Sequence, residues 1–133
     1  MEGRRGGEKN STMKKTIESF KDLVVWQKSH ELAILIYRST AEFPPSEKFG
    51  LASQLRRATV SIGSNIAEGF SRLSKKEKAQ FYRIALGSLM EVESQLCIAG
   101  DIGYIKEKDA EIYNEAVRQI HAMLKGLLRH TRV

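Results

Sequence analysis

The chain has one cysteine, Cys97, and two prolines, Pro44 and Pro45, in 133 residues. A lone thiol excludes an intrachain disulfide and fits a reducing compartment, which makes the cytoplasm the default location. Two adjacent prolines leave the rest of the chain free to form long helices. No apolar run approaches the ~20 residues needed to span a bilayer, and the N-terminus lacks the apolar core of a signal peptide, so no membrane role is expected. Motifs for chemistry are missing too. A di-iron bundle needs Glu-x-x-His pairs, and none occurs. His30-Glu31 leads to Ala33-Ile34 where a zinc protease would place its second histidine, and one cysteine with three scattered histidines makes no zinc cluster. Gly63-Ser64-Asn65 lacks the strand-turn-helix setting of a nucleophile elbow, and the glycines fit neither a P-loop nor a dinucleotide fingerprint. An enzyme is therefore not expected, nor a metal or other cofactor. His30, His121 and His130 read as ordinary helix-surface or core-edge residues. Trp26 reads as a packing residue, with stacking on a nucleic-acid base as the alternative.

What is present is the balance of a globular protein of one domain: 41% apolar and 29% charged residues. The formal net charge of +6 favours acidic partners, nucleic acid before anionic lipid. Residues 1–16 are Gly-rich, charged and nearly free of large apolar groups. They read as a flexible basic arm, with Met13 an alternative start, ahead of a folded unit over residues 17–133.

Helical periodicity fills that unit. A first helix is expected from about Asp22 to Glu42, with Val25, Leu32, Leu35, Ile36 and Ser39 in phase and Pro44-Pro45 ending it. Ser46 is the expected N-cap of a second helix reaching Phe70. Ser74-Lys75-Lys76-Glu77 has the form of a capping box, and the third helix it opens runs to Gly100-Asp101-Ile102-Gly103. A fourth spans about Lys108 to Arg129. Short links make sequential helices antiparallel, which predicts an all-α, up-down-up-down antiparallel four-helix bundle.

The middle helices carry more apolar surface than a lone bundle requires. Leu51, Leu55, Ala58, Ile62, Ile66 and Gly69 form the expected core stripe of the second helix. Val60, Gly63, Ala67 and Phe70 form a second stripe, and Tyr82, Leu86, Leu89, Met90 and Cys97 do the same on the third helix, away from Phe81, Ala85, Val92 and Leu96. Two explanations stand: wrapping by the outer helices, or self-association through Val60, Gly63, Ala67, Phe70, Tyr82, Leu86, Met90 and Cys97. Between the stripes a polar strip of Gln54, Arg57, Ser61, Ser64, Asn65 and Glu68 faces Glu91 and Gln95. Arg57, Ser61, Asn65, Glu68, Glu91 and Gln95 are expected to form a structural network that fixes register, with Arg57 and Glu91 buried in or beside an interface.

Charge is distributed by end. Lys14, Lys15, Lys21, Arg72, Lys75, Lys76, Lys78, Lys125, Arg129 and Arg132 fall at the end that holds the start of the first helix, the second turn and the end of the fourth helix. They are opposed there by Glu18, Asp22, Glu68 and Glu77, while Glu42, Glu47, Asp101, Glu107, Asp109 and Glu111 collect at the other end against Arg38, Lys48, Lys106 and Lys108. The basic tip is either solvated surface complementing a helix dipole or a platform for phosphates. Base-reading groups are missing, so binding to RNA or DNA would be directed to the backbone.

The runs Gln54-Leu55-Arg56-Arg57-Ala58, Val60 through Phe70 (VSIGSNIAEGF), Arg83 through Glu91 (RIALGSLME) and Asp22 through Lys28 (DLVVWQK) carry a family resemblance. From about Phe20 to Leu128 the chain resembles the four-helix bundle family encoded in intervening sequences of bacterial large-subunit ribosomal RNA genes. That resemblance implies a ring-like homopentamer. A looser likeness, at the level of fold, to the accessory variability protein of diversity-generating retroelements implies a reverse transcriptase as a possible partner. Two functions are thus carried forward: a non-enzymatic homo-oligomer that binds nucleic acid, structured RNA above all, through its basic end, and a protein-interaction scaffold with no direct nucleic-acid role.

Overall fold

A computed structural model describes residues 16–132, so expectations for residues 1–15, Lys14 and Lys15 among them, fall outside the described residues. Four α-helices make up most of the described residues: α1 (Val24–Thr40), α2 (Leu51–Ser71), α3 (Lys75–Asp101) and α4 (Glu107–Arg129). Sequential helices pack side by side, and α1 closes on α4. The result is an antiparallel four-helix bundle, and no strand occurs among the described residues. At about 1.5 Å per residue the rods span roughly 25 to 40 Å.

The helix ends show how local chemistry sets the boundaries. A 3-10 turn at Phe20–Asp22 precedes α1, and a capping box at Ser19 opens it. Ser19 Oγ accepts from the Lys21 amide at 3.1 Å, while Asp22 Oδ2 accepts from the Glu18 and Ser19 amides at 2.9 and 3.1 Å. The α1 C-terminus stops at Thr40, and Arg56 covers it: Nη2 donates to Tyr37 O at 3.2 Å and Nε to Thr40 Oγ1 at 2.7 Å.

Helix α2 begins four residues later than the Ser46 cap predicts, at Leu51 with Gly50 in the cap position. Pro45–Glu47 forms a separate 3-10 turn, and the Glu47 carboxylate takes the Leu51 amide at 3.1 Å, the position a serine cap was expected to fill. At α3 the serine half of the expected box is formed, with Ser74 Oγ accepting from the Glu77 amide at 3.1 Å. Its other end closes through Gly103, whose φ of +87° permits the bonds Gly103 N to Gly100 O (3.1 Å) and Tyr104 N to Ala99 O (2.8 Å).

The core runs the length of the bundle. Leu55, Ala58, Ile62 and Ile66 of α2 face Ala85, Leu89, Val92 and Leu96 of α3, and Leu32, Ile36, Val117, Ile120 and Leu124 complete it from the outer helices. Each fully buried Leu or Ile contributes about 1.5–3 kcal/mol, and these side chains set the stability. Buried hydroxyls turn back on their own helix: Ser29 Oγ donates to Val25 O at 2.8 Å and Thr40 Oγ1 to Ile36 O at 2.7 Å. Across α1 and α4, Tyr113 donates to Leu35 O at 3.1 Å and is hydrogen-bonded to Ser39. At the acidic end, Tyr104 donates to Glu47 Oε2 at 2.9 Å and packs on Phe43, tying two loops together.

Candidate nucleic-acid interface

Side-chain pairs fix how the helices stand against one another. Ser61 meets Ser88 at 2.8 Å, so the α2 C-terminus lies beside the α3 N-terminus. Cys97 lines a groove with Asn114, and Met90 one with His121, a register that brings Arg129 level with Tyr82. Tyr113 against Ser39 in turn sets Lys21 near Thr131 and Arg132. The cations therefore gather at one end, in two steps. Lys21, Lys125, Arg129 and Arg132 occupy the lower step on the α1–α4 side. Because α3 begins six to seven residues beyond the level of Tyr82, Lys75 and Lys76 stand about 10 Å further out.

Exposure sorts the eight described cations. Lys21, Lys75, Lys76, Lys125, Arg129 and Arg132 are exposed, whereas Arg72 and Lys78 are half-buried and already engaged. Lys78 Nζ donates to Phe70 O at 2.8 Å and to Gly69 O at 3.2 Å, neutralising the last carbonyls of α2, and lies 5.6 Å from the Phe70 ring centre. The Arg72 guanidinium pairs with Glu68 and stacks 4.8 Å above Phe81. These two hold the α2–α3 hairpin together, so their place among free phosphate ligands is corrected. Arg83 is a further cation at this end that the sequence pattern does not assign to it. It is exposed and lies two turns before Met90 on the face that lines α4, which brings it level with Leu128 and Arg129. Only the helix register reveals this.

The expected polar network is partly assembled. Asn65 Nδ2 donates to Ser61 O at 2.9 Å and to Ser61 Oγ at 3.0 Å, and Ser61 continues to Ser88. Gln95 Nε2 reaches Gln54 Oε1 at 3.4 Å. Glu68 turns away to Arg72. Arg57 and Glu91 flank one shallow groove with Gln54, Ser61 and Gln95, and both are exposed in the single chain, so their burial would need a second subunit over this groove. The α2–α3 core stripe passes beneath them.

The second apolar stripes resolve into two grooves. Val60, Gly63 and Ala67 line a groove of about 490 Å³ with Trp26, His30, Ile34 and Tyr37 of α1. Trp26 stacks on His30 with ring centres 4.8 Å apart and lies 3.4 Å from where a Cβ on Gly63 would stand, so α1 covers part of this stripe itself. Thr59, at the groove's edge, is buried with no hydrogen-bond partner for its hydroxyl. Phe70 is half-buried beneath Lys78, and Leu86 packs half-buried against the core. Met90 and Cys97 are exposed in a second groove with Glu93, Asn114, Arg118 and His121. Tyr82 and Leu89 do not belong to an outer stripe: Tyr82 is 4% exposed and Leu89 fully buried. The Tyr82 ring lies over Gly69, whose missing side chain makes the room, and burial raises its phenol pKa above the usual value.

Among the described residues no group of three or more His, Cys, Asp or Glu side chains is placed to hold a metal ion, and no helix is long and apolar enough to cross a membrane. What the arrangement offers is a stepped field of flexible ammonium and guanidinium groups at one end of a rigid rod, with apolar grooves along its sides.

Such a bundle belongs to the class of small, charge-polarised, all-α helical proteins. The chain is a member of the 23S rRNA-intervening sequence protein family, whose model matches residues 21–126. A crystal structure of a protein of unknown function from the S23 ribosomal protein family of Bacteroides thetaiotaomicron is similar, with a TM-score of 0.71 and 28% identity. That match covers 79% of this chain and 98% of the other. No curated protein sequence matches the chain.

Proposed function

We propose that this protein is a non-enzymatic, homo-oligomeric RNA-binding module whose basic end grips the phosphate backbone of structured RNA. The observation that carries this reading is the set of seven exposed cations, Arg83 included, that the bundle register gathers at one end. Flexible lysines that neutralise phosphates supply affinity and salt dependence without sequence readout. The family's link to 23S rRNA intervening sequences supports RNA over DNA. Self-association is supported by the grooves, which lie on opposite flanks, between α1 and α2 and between α3 and α4. Patches on opposite flanks suit head-to-tail contacts, which close into rings when the rotation allows, and a ring would repeat the basic end for avidity.

Affinity for one RNA hairpin, measured at several salt concentrations, tests the reading. The slope of log affinity against log salt is expected near −0.9 per neutralised phosphate on a duplex. Reversing Lys75, Lys76, Lys125 and Arg129 to Glu should weaken binding and flatten the slope, whereas reversing Lys48, Lys106 and Lys108 at the other end should change little. Equal losses from both ends, or no binding by the parent at low salt, would put the protein-interaction scaffold ahead. Light scattering tests the assembly in parallel: a 15.0 kDa monomer at micromolar concentration would refute it, and Ala67→Glu should dissociate it with helix content retained.

A further inference from the structure

The tip of the basic end carries an apolar side chain that the fold does not use. Leu73, in the three-residue turn between α2 and α3, is 98% exposed, the most exposed large apolar residue described. At that exposure it buries nothing within the chain and contributes nothing to the core. Turns of this kind are ordinarily filled by Gly, Asn, Asp or Ser.

The turn is held firmly. The Arg72 amide donates to Gly69 O at 3.2 Å, the Lys78 amide to Ser74 O at 3.0 Å, and Ser74 Oγ accepts from Glu77. Lys78 Nζ clasps the end of α2, and Arg72 lies on Phe81. Leu73 is thus presented at the outermost step of the bundle, with exposed Lys75 and Lys76 two and three residues further on.

We propose that Leu73 is a wedge that packs against an unstacked or terminal base of the RNA, while Lys75 and Lys76 hold the phosphates beside it. This rests on the RNA-binding reading and deepens it by naming the RNA feature preferred: a loop, bulge or helix end in place of continuous duplex. The major groove of A-form RNA is too deep and narrow for side chains to read, whereas bases in loops present open faces. Apolar wedges set among cations serve this purpose where proteins part stacked bases. Anionic lipid is the other partner a basic-apolar tip could meet. It is disfavoured because even a whole myristoyl chain anchors only marginally, and one leucine offers far less apolar area.

The experiment compares two RNAs of equal length, a hairpin with an open loop and a blunt continuous duplex, using the parent, Leu73→Ser and Phe49→Ser. Phe49, 89% exposed at the opposite end, controls for loss of an exposed apolar group. The parent should prefer the looped RNA by roughly tenfold, the burial of one leucine. Leu73→Ser should abolish that preference while keeping the duplex affinity, the salt slope and the oligomer mass. Phe49→Ser should match the parent. Salt-dependent RNA binding by the parent with no loss of loop preference in Leu73→Ser would overturn the wedge and leave the RNA reading standing, as would a change of oligomer mass in Leu73→Ser. Binding of the parent to phosphatidylserine vesicles but to neither RNA would overturn both.

Discussion

Gly69→Ala tests whether the α2–α3 hairpin is packed as described. A Cβ at Gly69 would stand 2.6 Å from Tyr82 Cε1, 2.9 Å from Tyr82 Cδ1 and 3.1 Å from Phe81 Cβ. Carbon atoms rest at about 3.5–4.0 Å, so the ring would have to retreat by close to 1 Å. Tyr82 has nowhere to go, being 4% exposed, and Phe81 Cβ is fixed by its backbone. Overpacking of this kind costs about 1–3 kcal/mol. Against it stands the better helix propensity of alanine, at most about 1 kcal/mol, and less here because Gly69 lies in the last turn of α2. The expected net loss is about 1–2 kcal/mol, measured by urea or thermal unfolding under circular dichroism at one fixed protein concentration, since association would shift the midpoint. In a Tyr82→Ala background the two ring contacts are gone and only Phe81 Cβ at 3.1 Å remains, so the same substitution should cost less than about 1 kcal/mol or become neutral. A gain in stability from Gly69→Ala in the parent would refute the close approach.

Lys78→Met keeps the methylenes and removes the ammonium from Gly69 O and Phe70 O. It should cost about 1–2 kcal/mol in a thermal melt yet lower RNA affinity less than Lys76→Met, and the reverse order would return Lys78 to the phosphate ligands. Burial raises the phenol pKa of Tyr82 and Tyr113, and the hydrogen bond to Glu47 raises that of Tyr104. The unfolded chain therefore loses these protons first, so stability holds below about pH 10 and falls as the pH climbs past it. Phenolate absorbance from Tyr82 and Tyr113 should appear only with alkaline unfolding; one reversible step for all tyrosines near pH 10, with the helical signal intact, would contradict this.

Periodicity was enough to read the fold, because the helices carry core stripes in phase and links of ten residues or fewer favour antiparallel neighbours. Boundaries failed where a side chain from outside the expected motif took the capping role, as Glu47 does for Leu51. Tyr82 was misplaced for a different reason. Over the 27 residues of α3 the buried stripe widens and drifts, and whether Phe81 or Tyr82 points inward is decided by the gap at Gly69 on the facing helix. A single helical wheel holds no such information. Charge could be assigned to an end from topology alone, but not sorted into free and occupied: Lys78 is drawn to carbonyls of α2 and Arg72 to the Phe81 ring, contacts set by side-chain reach across the hairpin. Whether Arg57 and Glu91 are covered depends on assembly, which helical periodicity within one chain does not encode.

The chain has a single tryptophan, and the fold sets it in the wall of the α1–α2 groove, between His30 and Phe20 and against Gly63. Indole emission shifts to the blue as water leaves its surroundings, so the molecule carries its own optical reporter at the flank where another surface would dock. Dilution of the unlabelled protein, watched through that one fluorophore, therefore follows the covering of the groove, from a position five residues along the chain from Lys21 of the basic end.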